Sequence, residues 1–173
     1  MIMGEKKVVG EISVFTDGSF MKHGGDESDL AGYGIYFPNK ELPDISRPFR
    51  RGKKTNQRAE LFAIYVALVV IKKNLEYNKI KIYTDSEYSI KAVTLWVKQW
   101  RRNNWKTSQG KDVLNQDIIQ PIDQILDQQR EKVIFIHVRA HTGFNDEISI
   151  CNSVADKLAH DGALRGERKK LKI

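Results

Sequence analysis

Four acidic residues stand in sequence contexts that could carry chemistry: Asp17 in FTDGS, Glu60 in NQRAEL, Asp85 in YTDS and Asp156 in NSVADKLA. Carboxylates brought together repel one another and raise one another's pKa. A divalent cation removes that conflict. Hard carboxylate oxygens suit magnesium or manganese, and magnesium completes its shell with water and substrate phosphate oxygens. Two such ions about 3.5 to 4 Å apart form a clamp for in-line displacement at phosphorus. Each acid taken singly has a plainer reading. DG or DS at a strand end is a common Asx-type turn, Glu60 suits the first turn of a helix, and Asp156 could face solvent. Their joint occurrence is what favours the chemistry.

The elements that must position these acids follow from periodicity. Residues 11–17, EISVFTD, alternate with the strand period, placing Ile12, Val14 and Thr16 on one side and Ser13, Phe15 and Asp17 on the other, with a turn expected at Gly18-Ser19. HGGDESDL reads as loop, AGYGIYFP as a second strand ended by Pro38, and ISRPFRR as a short third. Leu61, Ile64, Leu68, Ile71 and Leu75 recur at steps of 3 and 4, the apolar stripe of a helix, with Glu60 at its edge. IKIYTD is a fourth strand closing on Asp85. Helices are expected from about Glu87 to Arg130, interrupted around RRNNWKTSQGK; KVIFIHV is a fifth strand. NSVADKLAHDGAL closes as a helix with Asn152 as its N-cap and Gly162 near its end. This order predicts an α/β fold with one five-stranded mixed sheet flanked by helices. Such sheets place functional groups at the carboxyl ends of their strands, where Asp17 and Asp85 are expected to meet.

The chain of 173 residues is long enough for one domain with a real core. Its longest apolar run, LFAIYVALVVI, falls short of the roughly 18 residues that would cross a bilayer. No membrane association is expected. The N-terminus lacks a secretory h-region, and Cys151 is the single cysteine, which fits an intracellular protein, cytoplasmic or nuclear and not secreted. A net charge of +7 points to a polyanionic partner. Between Lys91 and Lys111 there are six basic residues and no acid, and from Arg165 to Lys172 five basic residues and one acid.

The ordered motifs TDGS, TNQRAEL, YTDS, HTG and NSVAD closely resemble type 1 ribonuclease H, from about Ile12 to Ala163. The resemblance implies the ribonuclease H-like fold, its middle strand antiparallel to its neighbours. It implies a catalytic domain over 1–163 and a poorly ordered basic tail over 164–173. It also implies that Asp17, Glu60, Asp85 and Asp156 bind two magnesium ions, with manganese a substitute, and that His141 of HTG assists proton transfer or product release. The expected reaction is hydrolysis of the RNA strand of an RNA/DNA hybrid, leaving 5'-phosphate and 3'-hydroxyl ends, by a monomer.

For substrate contact, Asn56 and Gln57 carry amides able to both donate to and accept from a 2'-hydroxyl, and Asn152 matches a further RNA-strand position. Thr55 could equally serve as an N-cap. Lys53, Thr55 and Asn115 match the family's pocket for one DNA phosphate, with lysine where cellular members carry arginine, a point charge instead of a planar fork. The run WVKQWRRNNWKTSQGK resembles the basic protrusion of cellular members. By position Trp100 and Ser108 touch the DNA strand, Lys98, Arg101, Arg102 and Lys106 meet phosphates, and Trp96 and Trp105 pack.

Two features depart from the pattern: a longer loop over GFNDEISIC, and Cys151 where a glycine is expected. No N-terminal hybrid-binding module is expected before the first strand. Three rivals share parts of this reading. A noncatalytic nucleic-acid-binding module leaves four motif-placed acids unexplained; a phosphotransfer ATPase lacks a second glycine-rich loop; a nuclease for DNA junctions sits poorly with TNQ.

Overall fold

The computed structural model describes residues 4–143 and 145–170. Its strands are β1 (Lys7–Val8), β2 (Glu11–Met21), β3 (Leu30–Tyr36), β4 (Ile45–Pro48), β5 (Leu75–Glu76), β6 (Lys79–Thr84) and β7 (Val133–His137). The α-helices are α1 (Asn56–Asn74), α2 (Glu87–Lys91), α3 (Val97–Arg102), α4 (Gln116–Asp127) and α5 (Glu147–Lys170), with a π turn over Ala92–Trp96 joining α2 to α3. Five strands form one mixed sheet in the order β4-β3-β2-β6-β7. The strand antiparallel to both neighbours is β3, next to the edge. The central strand, β2, pairs antiparallel with β3 and parallel with β6. β1 and β5, invisible to periodicity because each is only two residues long, pair beside the end of α1.

Helices cover both faces of this sheet. On one side the stripe of α1 is fully buried, with Leu61, Ile64, Leu68 and Ile71 packed against Ile12, Val14, Ile80 and Ile82. On the other, Phe15 meets Cys151 and Ala155 of α5. Two glycines set how closely the helices approach. A Cβ on Gly18 would lie 2.4 Å from the backbone nitrogen of Glu60, and one on Gly34 would lie 2.5 Å from the carbonyl oxygen of Ala155. Neither glycine has positive φ; what they supply is the absence of a side chain.

Three expectations need correction. β2 does not turn at Gly18-Ser19 but runs on to Met21, because its β3 edge continues to pair from Asp17↔Gly34 to Met21↔Leu30. The last helix begins at Glu147, not at Asn152. Asp146 is the residue that caps it, its carboxylate accepting from Ser149 N at 3.0 Å and Ser149 Oγ at 2.8 Å. The expected long loop is therefore partly an added helical turn. At the other end the same helix continues to Lys170, over 164–170 of the expected loose tail, with Arg165 donating to the carbonyl of Ser46 at 2.6 Å; 171–173 lie outside the described residues.

Candidate active site

The parallel ladder between β2 and β6 ends at Phe15↔Tyr83, so Asp17 and Asp85 each lie two residues beyond the same rung. Asp17 shares the α5 side of β2 with Phe15, and Glu60 is carried toward it by the start of α1 on the other side of the sheet. Local structure pins each of them. Thr55 caps α1, its hydroxyl accepting from Arg58 N at 3.1 Å. Beyond Asp85, Thr84 Oγ1 accepts from Ser86 N at 3.1 Å, and Ser86 in turn caps α2.

The result is a cluster in which carboxylate oxygens of Asp17, Glu60 and Asp85 lie within 4.8 Å of one another. Asp17 and Glu60 are buried at 2% and 3% exposure, and Oε2 of Glu60 has no hydrogen-bond partner among the described residues. Burial first, and then the Glu60 charge, push the Asp17 carboxyl up to about 12. Burial also lifts Glu60 to about 8, against the opposing hydrogen bonds from Asp17 and the Gly18 backbone. Asp85 is raised as well, by burial and by the charge of Asp156, while the Asn152 amide pulls the other way. Without a cation Asp17 and Glu60 hold protons near neutrality. An orphaned buried oxygen in an all-oxygen donor set is what a hard divalent ion would satisfy, so the residues fit a metal. Asp156, half-buried, stands outside the three-residue set but within hydrogen-bonding reach of Asp17.

The other sequence-selected residues divide. His141 is exposed at the start of the loop, at φ 51°, and its charge lowers Asp85. Asn152 is buried at 5% exposure, with Oδ1 unpartnered among the described residues. Asn56 and Gln57 are exposed in the first turn of α1, and Lys53 is exposed in the loop before it. Asn115 is buried in the left-handed region at φ 64°, its amide donating to Tyr88 Oη at 3.0 Å.

Arg58, to which no role was attached, connects several of these. Its side chain donates to Asn115 Oδ1 at 3.3 Å, to Arg51 O at 2.9 Å and to both carboxylate oxygens of Asp117, while its backbone is held by Thr55. Arg58 thus ties the start of α1 at Thr55, the Arg51 carbonyl of the preceding loop and Asn115, 57 residues further on, to one another. The detectable signal was an arginine in the first turn of a helix whose inner face, Glu60 aside, is apolar. His137, also without an assigned role, places Nε2 3.3 Å from the carbonyl of Asp85.

In the stretch expected to form a basic protrusion, two of the cations are already paired. Arg101 does not offer a free guanidinium, since it grips the buried Asp123 of α4 through two bonds of 2.7 and 2.5 Å. Lys106 is paired with Asp112 at 2.5 Å. Lys98 and Arg102 are exposed without an ion-pair partner among the described residues, and Ser108 is exposed. The tryptophans form a tilted ladder, Trp96 to Trp100 at 5.9 Å and Trp100 to Trp105 at 6.2 Å. Trp100 and Trp105 pack on the core, whereas Trp96 is the exposed member at 37%. The reason is the π turn, which buries Ala92 and Val93 and turns Trp96 outward.

This geometry agrees with what the chain is similar to. The family model described as RNase H matches residues 10–164. A probable ribonuclease H of Acanthamoeba polyphaga mimivirus is 43% identical, over 80% of this chain and 61% of the relative. A ribonuclease H of Haemophilus influenzae is 35% identical, over 88% of this chain and 90% of the relative. Among solved structures, the PFV RNase H domain superimposes with a TM-score of 0.71 at 26% identity, over 88% of this chain and 94% of that one. The chain spans 61% and 53% of the first two curated relatives it matches. From the motif order, the strand order and these similarities together, the chain belongs to the ribonuclease H family.

Proposed function

We propose that this chain hydrolyses the RNA strand of RNA/DNA hybrids, leaving 5'-phosphate and 3'-hydroxyl ends. The observation that carries this reading is the convergence of Asp17, Glu60 and Asp85 within 4.8 Å, with a buried glutamate oxygen left without a partner. Asp17, Glu60, Asp85 and Asp156 would hold two divalent cations, magnesium in the first instance. When bound, the ions supply an activated water and neutralise charge on the departing oxygen.

The chain's own residues do the rest by position. Gly18 lets α1 approach β2 closely enough for Glu60 to reach Asp17, and the capped turn after β6 fixes Asp85. Asn152, whose amide lowers the Asp85 carboxyl, keeps an unpartnered carbonyl oxygen in the same cluster, to which a ribose 2'-hydroxyl can donate once the strand is seated. Asn56 and Gln57 offer further amides on the same side as Glu60. Lys53, Thr55 and Asn115 grip a DNA phosphate, with Arg58 linking Thr55 to Asn115. Trp96, Lys98 and Arg102 present a ring and two uncompensated cations to the DNA strand, which predicts affinity that falls as salt rises. His141, on the exposed loop beside Asp85, is placed to accept or return a proton.

The test is cleavage of an end-labelled RNA/DNA hybrid, the matching duplex RNA and the matching duplex DNA, with magnesium or with chelator. Cutting confined to the hybrid's RNA strand and dependent on magnesium is expected. Equal cutting of duplex DNA, or cutting that survives chelation, would overturn the reading.

A further inference from the structure

Beside the carboxylates lies a cavity of about 430 Å³ between the loop that follows β7 and the first turns of α5. Arg139, His141, Ser149, Asn152 and Lys157 line it, and among the described residues no Asp or Glu does. The floor is tied together: Ser149 is held by Asp146, and Thr142 Oγ1 donates across to Ser149 Oγ at 3.4 Å. Its far wall exists because α5 begins at Glu147. A helix starting at Asn152 would have left Ser149 and Ile150 out of it.

The wall shared with the carboxylate cluster is Asn152, one helical turn before Asp156. Its amide lies close enough to Asp85 to lower that carboxyl, and its Oδ1 is buried and unpartnered among the described residues. A buried carbonyl oxygen without a donor is costly, on the order of 1 to 3 kcal/mol. A ribose hydroxyl at that point would satisfy it and direct the neighbouring phosphate of the same strand into the cavity. The charge there is positive. Lys157 is partly compensated by Asp161 at 3.2 Å, whereas Arg139 has no carboxylate within ion-pair distance among the described residues.

Resting on the hydrolysis proposed above, we infer that this cavity binds the RNA-strand phosphate adjacent to the one being cleaved, with Arg139 as its principal cation and Lys157 as a secondary one. The site acts through a single backbone charge. It reads no base, and its loss weakens all hybrid sequences alike.

Hybrid binding by the wild type and by Arg139→Gln, measured in chelator across a range of salt, tests this. Loss of one phosphate contact should reduce the slope of log affinity against log salt by about 0.7 to 0.9. Affinity near physiological salt should fall about fivefold, with a smaller loss for Lys157→Gln. Replacing RNA linkages one at a time by uncharged methylphosphonate should identify one position, within two nucleotides of the cut. There the wild type loses the same fivefold and Arg139→Gln loses nothing more. Equal slopes, or neutral linkages that weaken both proteins equally at every position, would overturn the site. A wild type that fails to cut hybrid in magnesium counts against the hydrolysis; a wild type that cuts, with unchanged slope in Arg139→Gln, counts against this cavity alone.

Discussion

Gly18→Ala isolates the positioning of the carboxylates without touching one of them. The added Cβ would sit 2.4 Å from Glu60 N, 2.6 Å from Ala59 C and 2.9 Å from Ala59 Cβ. These contacts are backbone and a short side chain, so no flexible terminus can swing away. Restoring ordinary contact requires α1 to retreat from β2 by about 1 Å at the turn that carries Glu60. Overpacking of this kind costs about 1 to 3 kcal/mol of stability. A displacement of about 1 Å at a reacting site costs about 100-fold in rate. Hybrid cleavage in saturating magnesium, compared with hybrid affinity in chelator and with thermal unfolding, separates the effects. The expected result is a folded protein with a modestly lower Tm, near-normal affinity and turnover reduced about 100-fold. Wild-type turnover in a folded Gly18→Ala protein would refute the claim that this approach sets the site.

Other expectations follow from the same geometry. In chelator, Tm should fall as pH rises from about 5 to 9. Asp17 and Glu60 have folded pKa values raised to about 12 and about 8, so the folded state binds more protons than the unfolded one throughout that window. Stability is therefore greatest below the unfolded carboxylate range and is lost as pH climbs, by up to about 1.4 kcal/mol per pH unit for each proton of difference. Saturating magnesium, or Asp17→Asn, should flatten the slope, and a Tm that rises with pH in chelator would count against it. Arg101→Ala should lower stability by about 1 to 3 kcal/mol in urea unfolding, because it strips one partner from the buried Asp123. Arg102→Ala should leave the midpoint in place and reduce only the salt dependence of hybrid binding. Arg58→Met, which leaves Asn115 Oδ1 and the Arg51 carbonyl without their donor, should also cost about 1 to 3 kcal/mol. It should weaken the response of binding to neutralisation of a single DNA phosphate.

Much of this was legible in the residues, and the failures have physical causes. Asp85 follows the end of β6 and Glu60 lies near the start of α1, features that local periodicity reports well, whereas Asp17 lies inside β2, past the end only of its ladder to β6. The DGS of β2 misled because Gly18 is small for the sake of a helix packed on it, not for turning; a single chain position cannot distinguish the two uses. Gly162 misled in the same way. It lies inside α5, where a Cβ would come 2.6 Å from Arg47 O, and does not end the helix. The true start of α5 is written in Asp146 and Ser149, which form a capping pair that begins six residues before Asn152. What could not be read locally was long-range partnership. Arg101 and Asp123 are 22 residues apart and Arg58 and Asp117 are 59 apart, and only the packing of α4 against its neighbours brings them together.

The central claim is that the gathered carboxylates perform the hydrolysis through bound cations. Its most direct test is Asp85→Asn, assayed on a labelled hybrid in magnesium with affinity measured in parallel. The account predicts turnover lowered by about 1000-fold or more with hybrid affinity retained. Turnover equal to that of the wild type would contradict it.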